Sequence, residues 1–143
     1  MSEAKYESKI TSAPCSAQQV YRVLSNMQNL ERVKDMIPKD KIQEIEIESD
    51  RVRLKVDGLA QKITIAIVDR IENSTVKFGL EGIPMEGNFW IQMKEVSPVD
   101  TRIKLTVKAD IPFMFKMMVD KKLQTGLDQA AEALAQFPYA AWQ

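Results

Sequence analysis

The apolar positions of this chain follow two periods in turn, and the points of changeover predict its elements. Tyr6, Ser8 and Ile10 alternate with charged or polar neighbours, which predicts a half-exposed first strand that Pro14 ends. Ser16 and Gln19 have the spacing of a capping box, with Cys15 and Val20 placed as the hydrophobic staple around it. Val20, Val23, Leu24 and Met27 then recur at helical spacing, and a second short helix carrying Leu30, Val33 and Ile37 is expected to stop at Pro38. From there the period becomes two. Ile45 and Ile47 lead to a Ser49-Asp50 turn; Val52, Leu54 and Val56 lead to Asp57-Gly58, a dipeptide that favours a type I′ hairpin. Ile63, Ile65 and Ile67 come next, and after Asn73-Ser74 come Val76, Phe78 and Leu80. The segment from Gly82 to Gly87 reads as a loop. Phe89, Ile91 and Met93 then alternate with Trp90, Gln92 and Lys94. Past a turn at Pro98 to Asp100, Ile103, Leu105, Val107 and Ala109 do the same. The period finally returns to helical from about Pro112 to Gln136.

Short turns between these strands imply antiparallel neighbours with one buried and one wet face. The expected architecture is a single α+β domain of order β-α-α-β6-α: a curved, seven-stranded antiparallel sheet around a long C-terminal helix. That helix must lie across the sheet, whose inner face is the only apolar surface left for it to bury.

This order, the segment from Ser16 to Met27 and the closing helix together resemble the helix-grip superfamily. Its members include START lipid-transfer domains, Bet v 1-like plant proteins and bacterial polyketide cyclase/dehydrase-like (SRPBCC) proteins. The resemblance spans Tyr6 to Phe137, and it implies a hydrophobic ligand enclosed between the sheet and the last helix. The chain departs from the plant members in lacking a glycine-rich loop between its second and third strands, where residues 48–51 make only a tight turn. It departs from the ring-hydroxylating relatives in having no histidine to serve as an iron ligand.

Charge and composition narrow the function classes. Twenty basic residues balance twenty acidic ones, so no global field steers the chain toward nucleic acid or an anionic bilayer, and neither is expected as a partner. No apolar run approaches the ~18 residues of a membrane span, which makes a cytoplasmic location the expectation. The absence of histidine removes Ser-His-Asp and Cys-His nucleophile systems and His-ligated metals. The single Cys15 supports neither an internal disulfide nor a thiolate zinc site, and reads as a small apolar packing residue. No metal or cofactor is expected, and any acid or base must be Asp, Glu, Lys or Tyr.

Candidate chemistry centres on the last helix. Leu123, Leu127, Ala130, Ala131 and Leu134 form one apolar stripe, and its extension toward the helix start meets Lys116 and Asp120, flanked by Phe113 and Met117. One reading makes the i,i+4 pair a solvated surface pair. The other sets Lys116 and Asp120 at a pocket mouth, gripping the polar head of a small hydrophobic or amphipathic ligand. Phe78, Phe89, Ile91, Met93 and Leu105 would then line the body of the site together with Phe113 and Met117. The opposite side of the same half-helix carries Met114, Phe115 and Met118 beside Lys121 and Lys122, either packed or exposed as an interaction patch for a protein partner, a second copy or a membrane surface. Gly126 interrupts the helix, for which close packing or ligand room is the expected reason. Trp90 is expected on the outer sheet face. Glu81 and Glu86 share a loop and form no recognisable catalytic pair. The leading reading is sequestration or transport of a small ligand. The rivals are a cyclase/dehydratase-type enzyme acting on a hydrophobic substrate and a protein-interaction module.

Overall fold

A computed structural model describes residues 2–32, 42–48, 50–56, 63–81, 87–111 and 113–142. The elements run β1 (Ser2–Glu7), β2 (Thr11–Ala13), α1 (Ala17–Leu24), a 3-10 helix (Met27–Arg32), β3 (Ile42–Ile47), β4 (Arg51–Val56), β5 (Ile63–Ile71), β6 (Thr75–Glu81), β7 (Gly87–Ser97), β8 (Asp100–Ile111), α2 (Phe113–Gln136) and a terminal 3-10 helix (Tyr139–Trp142). All strands join one sheet in the order β1-β8-β7-β6-β5-β4-β3, with β2 also on β8, and every pairing is antiparallel. This is the α+β arrangement that the periodicity predicts.

The first strand differs from expectation in being two. Between β1 and β2 the Ser8 side chain stands in for a backbone carbonyl: the Leu105 amide donates to Ser8 Oγ at 2.9 Å, while the Ser8 amide still donates to the Leu105 carbonyl at 2.8 Å. The next amide, that of Lys9, faces away from β8 and donates to Asp128 of α2 at 2.7 Å. The second helix is a 3-10 helix; Val33, Ile37 and Pro38 lie outside the described residues, as does the Asp57-Gly58 turn. The terminal 3-10 helix was not expected. It buries Tyr139 and sets Phe137 against both Tyr139 and Trp142.

Alternation along the strands divides the sheet into two faces. Inward point Tyr6 on β1, Ile103, Leu105 and Val107 on β8, Ile91 and Met93 on β7, Val76 and Phe78 on β6, Ile67 on β5 and Val52 on β4, all buried in one core with Val20, Leu127 and Ala131 of the helices. One irregularity decides what the end of β5 does. Ile67 opposes Phe78 but Asp69 opposes Lys77, so Val68 is an extra residue. Beyond that bulge Arg70, opposite the buried Val76, takes the inward place, and Ile71 falls outside, 56% exposed. Gly79 leaves room for the bulge, since a Cβ there would meet Val68 Cγ1 at 3.3 Å. The following turn needs a left-handed residue and finds it in Asn73, with φ of 58°.

The capping box forms as its spacing predicts: Ser16 Oγ accepts from the Gln19 amide and the Gln19 side chain accepts from the Ser16 amide. Glu95 of β7 adds a contact that local sequence does not announce, its carboxylate accepting from the Ala17 amide at 3.0 Å. A negative charge there also complements the helix dipole. Arg70 holds the other end of α1, donating to the Ser25 carbonyl at 3.1 Å and to Asp50 at 2.9 Å. Cys15 is 5% exposed, and burial raises the pKa of its thiol, in keeping with a packing role.

Helix α2 packs chiefly on β8, β2 and β1. Among the described residues Leu127 and Ala131 are its buried contacts, and the Ala131 carbonyl accepts from Thr11 Oγ1 at 2.9 Å. Gly126 corrects the expectation made for it. It is exposed, and a Cβ there would meet nothing within 4 Å, so neither close packing nor a neighbouring side chain requires glycine. Gly126→Ala should therefore stabilise the fold by up to about 1 kcal/mol through helix propensity alone, read as a higher urea midpoint with an unchanged slope; an unchanged or lower midpoint would show that glycine is needed there.

Candidate functional site

The candidate site begins where α2 leaves the sheet. Asp120, in the first half of α2, is half-buried and accepts a hydrogen bond from the phenol of Tyr6 on β1. Tyr6 is itself 8% exposed. Burial, then the Asp120 hydrogen bond and charge, push its phenol up to about 12 from an ordinary 10.0. At neutral pH Tyr6 is thus a firmly protonated donor, and Asp120 is the polar group that α2 presents to the inner face.

Beside this pair the inner face changes character. Toward β8 and β7 its apolar side chains are buried, whereas Phe89, Leu80, Ile65, Ile63, Leu54, Ile45 and Ile47 are only half-buried. They belong to the strands farther from β1, β2 and β8, on which α2 chiefly packs. Phe78 and Phe89, opposite one another on β6 and β7, stack with ring centroids 4.3 Å apart and planes 10° from parallel. Phe78 fills the core side of that stack and Phe89 faces the less covered side.

The structure therefore brings Phe78, Phe89, Ile91, Met93 and Leu105 onto one face, with Phe78, Ile91, Met93 and Leu105 buried. Asp120 lies against that face through Tyr6. Met117 does not join them: it is 88% exposed, so the phase of α2 turns this residue to solvent. The side chains of Phe113, Lys116, Met114, Phe115 and Met118 lie outside the described set. Tyr6 is the site residue that sequence reasoning missed. The available signal was a large aromatic with a polar end at an inward position of an edge strand otherwise made of Ser, Glu, Ala and Lys. Trp90 sits on the outer face as expected, with the ammonium groups of Lys77 and Lys108 over its ring. Among the described residues no helix is long and apolar enough to cross a membrane.

No protein-family model and no curated protein sequence matches this chain. Solved structures do. Truncated norcoclaurine synthase from Thalictrum flavum matches with a TM-score of 0.75 at 12% identity, over 94% of this chain and 91% of that one. The same synthase in complex with dopamine and hydroxybenzaldehyde matches with 0.70 at 18% identity, over 94% and 84%. A START superfamily protein from Mycobacterium smegmatis matches with 0.59 at 17% identity, over 92% and 98%. The chain thus has the START/Bet v 1 helix-grip fold, and at these identities the likeness is one of fold.

The Tyr6 phenol carries a pH consequence. Its folded pKa lies above the unfolded value, so the folded state holds the proton more tightly, and the stabilisation is fully present below pH 10. It is lost as pH rises from 10.0 through about 12. Denaturation midpoints across that window should fall less steeply in Tyr6→Phe than in the unchanged protein; equal slopes would mean that Tyr6 ionises normally in the folded state.

Proposed function

We propose that this protein binds a small hydrophobic or amphipathic molecule between the inner sheet face and α2, for sequestration or transport. The observation that supports this reading is the meeting of a half-buried apolar strip, from Phe89 to Ile45, with the Tyr6–Asp120 pair at its polar margin. A ligand's body would lie on the strip. Its hydroxyl or amine would donate to the remaining acceptor sites of Asp120, since a carboxylate has more of these than Tyr6 uses. Lys116, one turn earlier in α2, is the expected partner for an acceptor on the same head. Phe78, Phe89, Ile91, Met93, Leu105 and Phe113 would form the apolar surround. Removing ~300 Å² of ligand surface from water contributes roughly 7 kcal/mol before the costs of association, enough for micromolar binding at best without good polar contacts. Likeness of fold to a synthase solved with dopamine and hydroxybenzaldehyde is consistent with small, partly polar aromatic ligands.

Protein purified without denaturant and then extracted under denaturing conditions should release a small molecule detectable by mass spectrometry. The Lys116→Ala/Asp120→Ala double variant should retain less of it while remaining folded. An empty extract together with no response to a hydrophobic fluorescent probe would remove the proposal, and equal retention by the double variant would remove the polar grip.

A second reading, a cyclase/dehydratase-type enzyme, draws on the displaced Tyr6 phenol and its carboxylate partner, because perturbed groups concentrate at catalytic sites. Tyr6 would then donate a proton or hydrogen bond to a substrate oxygen, with Asp120 orienting it. Once the extracted molecule is known, Tyr6→Phe separates the two. Under the enzyme reading it abolishes turnover while leaving affinity within about threefold, a difference below roughly 0.7 kcal/mol. Under the binding reading no turnover is seen with either protein.

A further inference from the structure

The outer face of the sheet carries a separate constellation. On three adjacent strands, Lys77 of β6, Trp90 of β7 and Lys108 of β8 point outward: Trp90 opposes Lys77 on one side and Thr106 on the other, with Lys108 diagonal to it, opposite Asn88. The two ammonium nitrogens lie 5.3 and 5.8 Å from the centre of the Trp90 ring. The indole's electron-rich face attracts both cations and holds them on one spot.

Three other cations of this face are already answered. Lys5 and Lys104 share Glu7 at 3.1 and 3.3 Å, which lowers the Glu7 pKa, and Arg102 has Asp100 at 3.1 Å. Among the described residues Lys77 and Lys108 have no carboxylate within ion-pair distance. Both are half-buried beside hollows in the surface. One, of about 200 Å³, is lined by Lys77, Gly87, Asn88, Trp90, Lys108 and Asp110. The other, of about 270 Å³, is lined by Lys5, Glu7, Trp90, Gln92, Thr106 and Lys108. Trp90 and Lys108 are common to both.

We propose that this outer-face hollow is a binding site for a phosphate monoester, with Lys77 and Lys108 as its two charge partners and Trp90 as its floor. Two like charges gathered on one aromatic ring repel, and a compact dianion relieves that repulsion while accepting charge-assisted hydrogen bonds from both. A phosphate monoester carries nearly two negative charges at neutral pH and offers three acceptor oxygens. Asp110 is the carboxylate that lines the same hollow, and its charge opposes the anion and limits the affinity. The site is distinct from the one between the inner face and α2, so neither depends on the other.

The test uses the full chain and two probes: soluble glycerol 3-phosphate, followed by calorimetry and tryptophan fluorescence, and phosphatidylcholine vesicles with or without phosphatidic acid, followed by cosedimentation. Saturable binding that weakens with added salt is expected for at least one probe. Lys77→Ala and Lys108→Ala should each weaken it about fivefold or more, and Asp110→Asn should tighten it. Glycerol 3-phosphate binding with this pattern marks a soluble ligand; the same pattern with phosphatidic acid vesicles alone marks a lipid headgroup. Absence of binding to both probes at low ionic strength would overturn the proposal. So would a Lys77→Ala/Lys108→Ala protein that binds as well as the unchanged one.

Discussion

The placement of α2 depends on the free side of the edge formed by β1 and β2. An edge strand spends only alternate backbone groups on its neighbour and leaves the rest for another element. Here the Lys9 amide donates to Asp128, the Glu7 carbonyl accepts from the Gln124 side chain at 2.7 Å, Thr11 reaches the Ala131 carbonyl, and Lys9 pairs with Glu132. These contacts stitch the helix along one margin of the sheet over about two turns. Because the stitching is at that margin, α2 lies chiefly on β1, β2 and β8, and Ile45 and Ile47 of β3, Leu54 of β4 and Ile63 and Ile65 of β5 keep part of their surface. The asymmetry between the two halves of the inner face thus follows from the edge at which α2 is fastened.

Much of this architecture was legible in the sequence because alternation and helical spacing are local. The runs around Val76 to Leu80 and Ile103 to Ala109, the Ser16-Gln19 cap and the span of the last helix all follow from neighbours within a few residues. What was not legible is long-range or off-period. Asp120 stood out as a polar residue on an apolar stripe, yet its partner Tyr6 is 114 positions away. Glu95 and Ala17 are likewise joined only by the fold. Period-two counting carries the inner set of β5 through Ile67, but the bulge at Val68 then puts Arg70 where the count would put Asp69. Met117 shows the same limit in a helix: the stripe was clear in the C-terminal half, where core contacts fix the phase, and its extension toward the first turn missed by one side chain.

The two faces of the sheet divide the chemistry between them. Inside, dispersion and burial dominate, with a single phenol–carboxylate contact set among aliphatic and aromatic groups. Outside, cations alternate with neutral residues along β8 and β7, and the balanced formal charge of the whole chain conceals that separation. Averages over a sequence report how much charge there is, whereas strand pairing decides on which side it accumulates.

The bulge in β5 makes the pairing of Arg70 with Val76, rather than the identity of Val68, the protected feature at that point. With Val68 kept but drawn into the ladder, regular pleating would run through the strand end, turning Arg70 outward and Ile71 toward the interior. The guanidinium that fastens the end of α1 and the Asp50 corner would then face water, and an aliphatic side chain would take a place that offers those carbonyl and carboxylate oxygens no donor. Homologous chains that preserve this corner should accordingly exchange Val68 for other side chains, or lose it together with the bulge, more readily than they shift the arginine by one position along the strand.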